Sequence, residues 1–205
     1  MKKIIGKKSF LAILSITGCL IILYVIASKF LNYCDNPSHS ELVVLFVGPV
    51  YQERLQEAST LIKEDYAKNL LIPAYNELLT VVNGALTKNE NYQKSVTGGK
   101  IYPSYYEDTH IEVLEAKKIM NLLGYSSAIF VSSPYHMRRI SIIAERVFPD
   151  DGYQLSFVGS RFSGQDINFS IFTWSKAKLV FQEYVKIFYF LAYQFYEINS
   201  DHLNN

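Results

Sequence analysis

Apolar residues fall into three rhythms along this chain, and each predicts a different kind of element. The first rhythm is unbroken. Phe10 to Ala27 carries no charge, and only Ser15, Thr17 and Gly18 interrupt it, which suits a helix crossing a hydrocarbon core. The second is short and continuous. Leu42 to Val47 and Ala128 to Val131 are apolar at every position, as strands buried on both faces of a parallel sheet are. Gly48-Pro49 ends the first run and Ser132-Ser133-Pro134 the second. The third rhythm is helical. Leu55, Ala58, Leu61 and Ile62 share one face of a segment from Tyr51 to Tyr66, and Ile140, Ile143, Ala144 and Val147 share one face of a helix entered at Pro134.

The remaining elements carry weaker marks. Asn69 to Ile72 and Gln154 to Val158 read as further strands, and Glu77 to Leu86 as a helix. Thr87 to Tyr105, broken by Gly98, Gly99 and Pro103, reads as a long loop or lid. Thr109-x-x-Glu112 reads as a capping box opening a helix that runs to Leu123 and stops at Gly124. Trp174 to Tyr196 reads as a long aromatic helix; its all-apolar stretch, Ile187 to Tyr193, allows a second membrane contact but is too short to span a bilayer, and a core helix is the expectation. The order of elements predicts an α/β fold: a three-layer Rossmann-like sandwich with a mainly parallel sheet, behind one transmembrane helix. The expected divisions are a lysine-rich tail (1–9), an anchor (10–28), a linker (29–40), the α/β domain (41–197) and a polar tail (198–205).

Charge settles orientation and removes one class of partner. With 20 Lys and Arg against 19 Asp and Glu, net +1, no basic face is available for nucleic acid. Lys2, Lys3, Lys7 and Lys8 precede the apolar run and only Lys29 closely follows it. The positive-inside rule then predicts a single-pass plasma (inner) membrane protein, with its amino terminus cytoplasmic and its domain on the extracytoplasmic side. Ile16-Thr17-Gly18-Cys19 also fits a lipoprotein signal, and a cleaved secretory signal is a third reading; all three place the domain on the same side. Cys19 and Cys34, the chain's two cysteines, lie outside the globular part, so neither a disulfide framework nor a cysteine metal site is expected.

A parallel sheet gathers the carboxyl ends of its strands at one edge, where ligands bind. Arg54 lies on the first helical turn after the first strand. His136, Arg138 and Arg139 lie on the first turn after the central strand. Cations at a helix start oppose the macrodipole, and an anion there relieves the mismatch. Arg54, His136 and at least one of Arg138 and Arg139 are therefore expected in one cleft, with Gly48 at the first strand's end and Thr109 and Glu112 at the rim. His136 suits general acid or base work, and Glu112 is the second catalytic candidate. Glu107, Asp108, His110 and Glu112 match no strong metal spacing, so no metal is expected. No GxSxG elbow, P-loop or GxGxxG is present, and no cofactor identity follows.

Taken together, Gly48, Arg54, Thr109-x-x-Glu112, the Ser132 to Arg139 segment SSPYHMRR, and Trp174 with Glu183 and Lys186 resemble the bacterial YdcF/SanA/ElyC-like family over Glu41 to Tyr193. The resemblance implies a Rossmann-like domain, often behind one membrane helix, with a pocket lined by Arg54, Thr109, Glu112, His136, Arg138 and Arg139. The chain departs from the family at Ile72-Pro73-Ala74-Tyr75, where a glycine-rich turn is usual. The family implies two roles: binding of S-adenosylmethionine, and envelope integrity with glycan-precursor metabolism. Arginines suit phosphate, and an outward-facing domain meets phosphate-bearing lipids and glycans at the membrane. The expectation is thus an envelope protein acting on or sensing an anionic, phosphate-bearing precursor, lipid-linked or small. Its rivals are an S-adenosylmethionine or nucleotide-like ligand-binding protein or transferase, and a non-catalytic scaffold in envelope biogenesis.

Overall fold

The computed structural model describes residues 7–90, 92, 102–149, 152–164 and 173–203. These form an α/β fold of one six-stranded mixed sheet and five helices. In chain order they are α1 (Lys7–Leu31), β1 (Leu42–Leu45), α2 (Tyr51–Lys63), β2 (Asn69–Ile72), a 3-10 turn (Pro73–Tyr75), β3 (Glu77–Val82), β4 (Ala85–Lys88), α3 (Asp108–Leu123), β5 (Ser127–Ser132), α4 (Pro134–Val147), β6 (Gln154–Gly159) and α5 (Trp174–Leu203). The sheet order is β4-β3-β2-β1-β5-β6. The two fully apolar runs are parallel neighbours, in register from Leu42 opposite Ala128 to Leu45 opposite Val131. β2 and β6 extend this parallel set on either side.

Alternation along these strands divides the core between two faces. Val43, Leu45, Ile129 and Val131 pack with Ala58 and Leu61 of α2. Leu42, Val44, Ala128 and Phe130 pack with Val113, Ala116 and Met120 of α3 and with Met137, Ile140 and Ile143 of α4. Both faces of β1 and β5 are buried, which is why neither run shows polar alternation.

Glu77 to Leu86 is not a helix. It is most of an antiparallel hairpin, β3 paired with β4, and β3 also runs antiparallel to β2. The turn is Asn83-Gly84, with φ of 52° and 79°. Two consecutive positive φ values make the tight turn whose twist matches the flanking strands, and Asn-Gly is its strongest sequence mark. The lid reading of Thr87 to Tyr105 falls largely on residues 91 and 93–101, outside those described; Thr87 and Lys88 belong to β4. α2 ends at Lys63, short of Tyr66, and α5 continues to Leu203, through residues assigned to a tail.

Leu11–Leu31 of α1 is long and apolar enough to cross a membrane. Its final turns dock on the domain. Leu31 is buried with Tyr135, Val180 and Ile187, and the Tyr184 hydroxyl donates to the Ala27 carbonyl at 3.2 Å. The linker after it is pinned as well. Asp35 N–H donates to the Phe157 carbonyl at 2.7 Å, and the Asp35 carboxylate accepts from Phe157 N–H at 3.0 Å.

Phe130 is the centre of the aromatic part of the core, against Phe46, Phe148 and Phe157. Phe130→Ala is expected to destabilise the protein by about 3–5 kcal/mol, read as a lowered Tm of the detergent-solubilised chain. An unchanged Tm would contradict this packing.

Candidate functional site

The carboxyl ends of β1 and β5 open into a cavity of about 550 Å³. Gly48 and Arg54 line it from the β1 side, Tyr135, His136 and Arg139 from α4, Glu107, Thr109 and Glu112 from the start of α3, and Glu183, Lys186 and Tyr189 from α5.

Arg54 is almost wholly buried, yet no carboxylate lies within ion-pair distance of it among the described residues. Its Nε donates to Ser133 Oγ at 3.0 Å, and one terminal nitrogen donates to the Phe46 and Val47 carbonyls at 3.1 and 2.8 Å. Burial lowers its pKa, but a guanidinium keeps its proton in proteins. The result is a desolvated charge whose direct partners are neutral oxygens, Tyr135 among them, with the Glu112 and Glu183 carboxyls acting on it from further away. Gly48 makes room for it: a Cβ there would stand 2.7 Å from the Arg54 guanidinium. Ser133 precedes α4 without side-chain capping, because its hydroxyl serves Arg54 instead.

Arg139 is the opposite case. Its Nε donates to Glu183 at 2.9 Å, and one terminal nitrogen donates to Glu107 and to Thr109 Oγ1, both at 2.8 Å. The other terminal nitrogen faces the His136 ring, 2.7 Å from Nε2 and 3.0 Å from Nδ1. A guanidinium only donates, so the ring nitrogen that pairs with Arg139 presents its lone pair. Nδ1 also lies 3.2 Å from Glu183 Oε2. Burial, reinforced by Arg139, pushes His136 down to about 4. Burial opposes the Glu183 carboxylate, but His136 and Arg139 override it and hold it at about 2. His136 is therefore a neutral ring whose lone pair already has a partner, so in this arrangement it is a poor general base.

Glu112 has the reverse shift. Burial raises it to about 8 against the pull of Arg54 and Arg139, with Asp108 adding to the rise. At neutral pH it is an acid with a proton to give. Glu107 is raised in the same direction by burial, opposed by Arg139, and its Oε1 is buried without a protein partner.

Two readings of the sequence need correction. Thr109-x-x-Glu112 is not a capping box: α3 starts at Asp108 with Glu107 at the N-cap and no side-chain cap bond. Both side chains face the cavity instead, Thr109 bonding Arg139. Arg138 is not a cavity residue. It lies one helical step, about 100°, from Arg139, and that turns it towards α1. Its Nε donates to the Phe30 carbonyl at 2.9 Å, and its guanidinium lies 4.6 Å from the Phe30 ring and 4.1 Å from Tyr33. There it meets one of the unpaired carbonyls at the negative end of α1. Arg54, Gly48, Thr109, Glu112, His136 and Arg139 are brought together as expected.

Glu183 was not singled out as a site residue from the sequence, although it holds the cluster. A mark was available: Val180, Glu183, Ile187 and Phe190 share the inward face of α5, so the carboxylate interrupts an apolar stripe. His110 packs tilted against Tyr106 and stacks on Tyr193, with which it also hydrogen-bonds, away from the cavity. Among the described residues no group of three metal-ligating side chains is present.

No family model matches the chain, and neither does any curated protein or solved structure.

Glu183→Gln leaves Arg139 buried with one charged partner fewer, and a cost of about 3–5 kcal/mol is expected from breaking such a pair. The pH dependence has a definite sign. His136 has a folded pKa of about 4 against an ordinary 6.5. Its contribution is therefore full above pH 6.5 and lost as pH falls towards 4. Tm measured from pH 7 to 4 should drop in the wild type, and less steeply in His136→Asn.

Proposed function

We propose that this chain is a membrane-anchored, YdcF/SanA/ElyC-like envelope protein whose cavity binds a phosphate-bearing precursor that it acts on or senses. In this reading the sheet and its covering helices are a three-layer Rossmann-like sandwich, dominated by its parallel strands. One span holds the domain on the extracytoplasmic side of the inner membrane, as the lysine asymmetry before Phe10 predicts.

The observation that carries the proposal is Arg54. A buried guanidinium solvated only by neutral oxygens, at the edge of a cavity, gains most from an anionic ligand, since phosphate supplies the charge-assisted acceptors its surroundings lack. Arg139 is saturated by Glu183 and Glu107 and contributes position more than free charge. Lys186, half exposed at the cavity wall and 3.6 Å from Glu183 Oε1, adds a further positive group. Glu112, protonated near neutrality, supplies a donor to the same ligand. If the anion is transformed, Glu112 is the group placed to protonate a leaving oxygen. Glu107 Oε1 offers an acceptor to a ligand hydroxyl, which suits a sugar-bearing compound.

The test is equilibrium binding of inorganic phosphate and of a short polyprenyl phosphate to the full chain in detergent. Affinity should fall as salt rises. It should also fall as pH passes about 8, where Glu112 ionises and repels the anion; Glu112→Gln should abolish that second fall. Arg54→Lys should lose about 1.5–3 kcal/mol of binding, and Gly48→Ala should weaken binding by displacing the guanidinium. An S-adenosylmethionine-type ligand would instead bind without competition from phosphate. A scaffold would bind neither.

A further inference from the structure

The outer face of α5 is used neither by the cavity nor by the docked end of α1. Trp174, Phe181, Phe188 and Phe195 recur at every seventh position, with Val185 and Tyr196 between them. All six are exposed, Trp174 at 82%. Helical geometry gathers them into one stripe along α5, and a continuous apolar patch of this kind marks a contact surface.

What covers it follows from depth. A helix needs about 20 residues to cross a hydrocarbon core, and the apolar part of α1 has 21, Leu11–Leu31. Its last two turns are also a docking surface. Tyr24, Ala27 and Leu31 pack with Leu179, Val180, Tyr184 and Ile187 of α5, and Phe30 stacks on Tyr184. Tyr24 to Leu31 is about 10 Å of helix. The segment of α5 that packs there must sit at the same depth as the end of the span. Phe181, Val185 and Phe188 belong to that segment and point away from the protein.

We infer that the outer face of α5 lies in the bilayer interface, with its aromatic stripe at the boundary between headgroups and acyl chains. Interfacial helices bury their apolar faces about 5–10 Å deep, comparable with the overlap between α1 and α5. Aromatic side chains concentrate at this level. Lys178 is exposed on the same helix, and its stem is long enough to carry the charge to headgroups. The inference does not depend on what the cavity binds.

Trp174 is the chain's one tryptophan, so intrinsic fluorescence reports on the stripe directly. The full chain is reconstituted into phosphatidylethanolamine–phosphatidylglycerol vesicles, as the wild type and as Trp174→Phe carrying Phe181→Trp or Phe188→Trp. These positions are exposed, so the exchanges leave the core intact. Blue-shifted emission at 181 and 188, quenched by lipids spin-labelled near the headgroup and spared by aqueous iodide, is the expected result. Emission of a water-exposed indole quenched by iodide at both positions would overturn the inference. Protection from both quenchers, with cross-linking between copies through Phe181→Cys, would overturn it in favour of a second copy of the chain.

Discussion

The arrangement at the strand edge depends on one buried guanidinium. Arg139 of α4 reaches Glu183 of α5, Glu107 at the head of α3 and Thr109 of α3, so three helices meet through one side chain. Desolvating such a cluster is costly, and its attraction repays that cost only when donors and acceptors match closely. Here the match extends to the His136 ring. The cluster therefore contributes more to specifying how the helices meet than to net stability, and removing a partner hurts more than the intact cluster helps.

That tie has a chemical consequence. A histidine and a glutamate, judged by type alone, would be assigned as base and carboxylate. Burial inverts both. His136 is held neutral beside Arg139 and becomes part of the support, while Glu112 keeps its proton up to about pH 8. Arg54, served by backbone carbonyls, a serine and Tyr135, has no carboxylate within ion-pair distance among the described residues, although Glu112 and Glu183 act on it from further away. A protonated carboxyl and a buried guanidinium thus line the same cavity as the neutral histidine.

The two adjacent arginines of α4 link the cavity to α1. Arg139 turns inward and Arg138 turns to the last carbonyls and rings of α1 and its exit. Because one rigid helix carries both, the cavity and the end of α1 hold a defined relative position, and the pinned segment at Asp35 reinforces it. A domain attached this way is not a body on a loose tether.

Much of the fold was legible because buried strands and amphipathic helices leave marks of pattern. LVVLFV and AIFV identified β1 and β5 as fully buried, and the gathering of strand ends placed Arg54, His136 and Arg139 together before any contact was seen. The hairpin was legible too, through Asn83-Gly84, but a Leu- and Val-rich run reads equally as a helix when the turn is overlooked. Tertiary structure alone decided the rest. Whether a threonine caps its helix or bonds an arginine from another element depends on what packs against that turn, and Thr109 and Glu112 face α4. Whether an arginine faces a cavity or the end of another helix depends on a single 100° step around a helix, and only the position of α1 reveals that a partner waits for Arg138. Residue type fixed which groups carry charge in water; the burial that holds His136 neutral and Glu112 protonated is a property of the assembled molecule.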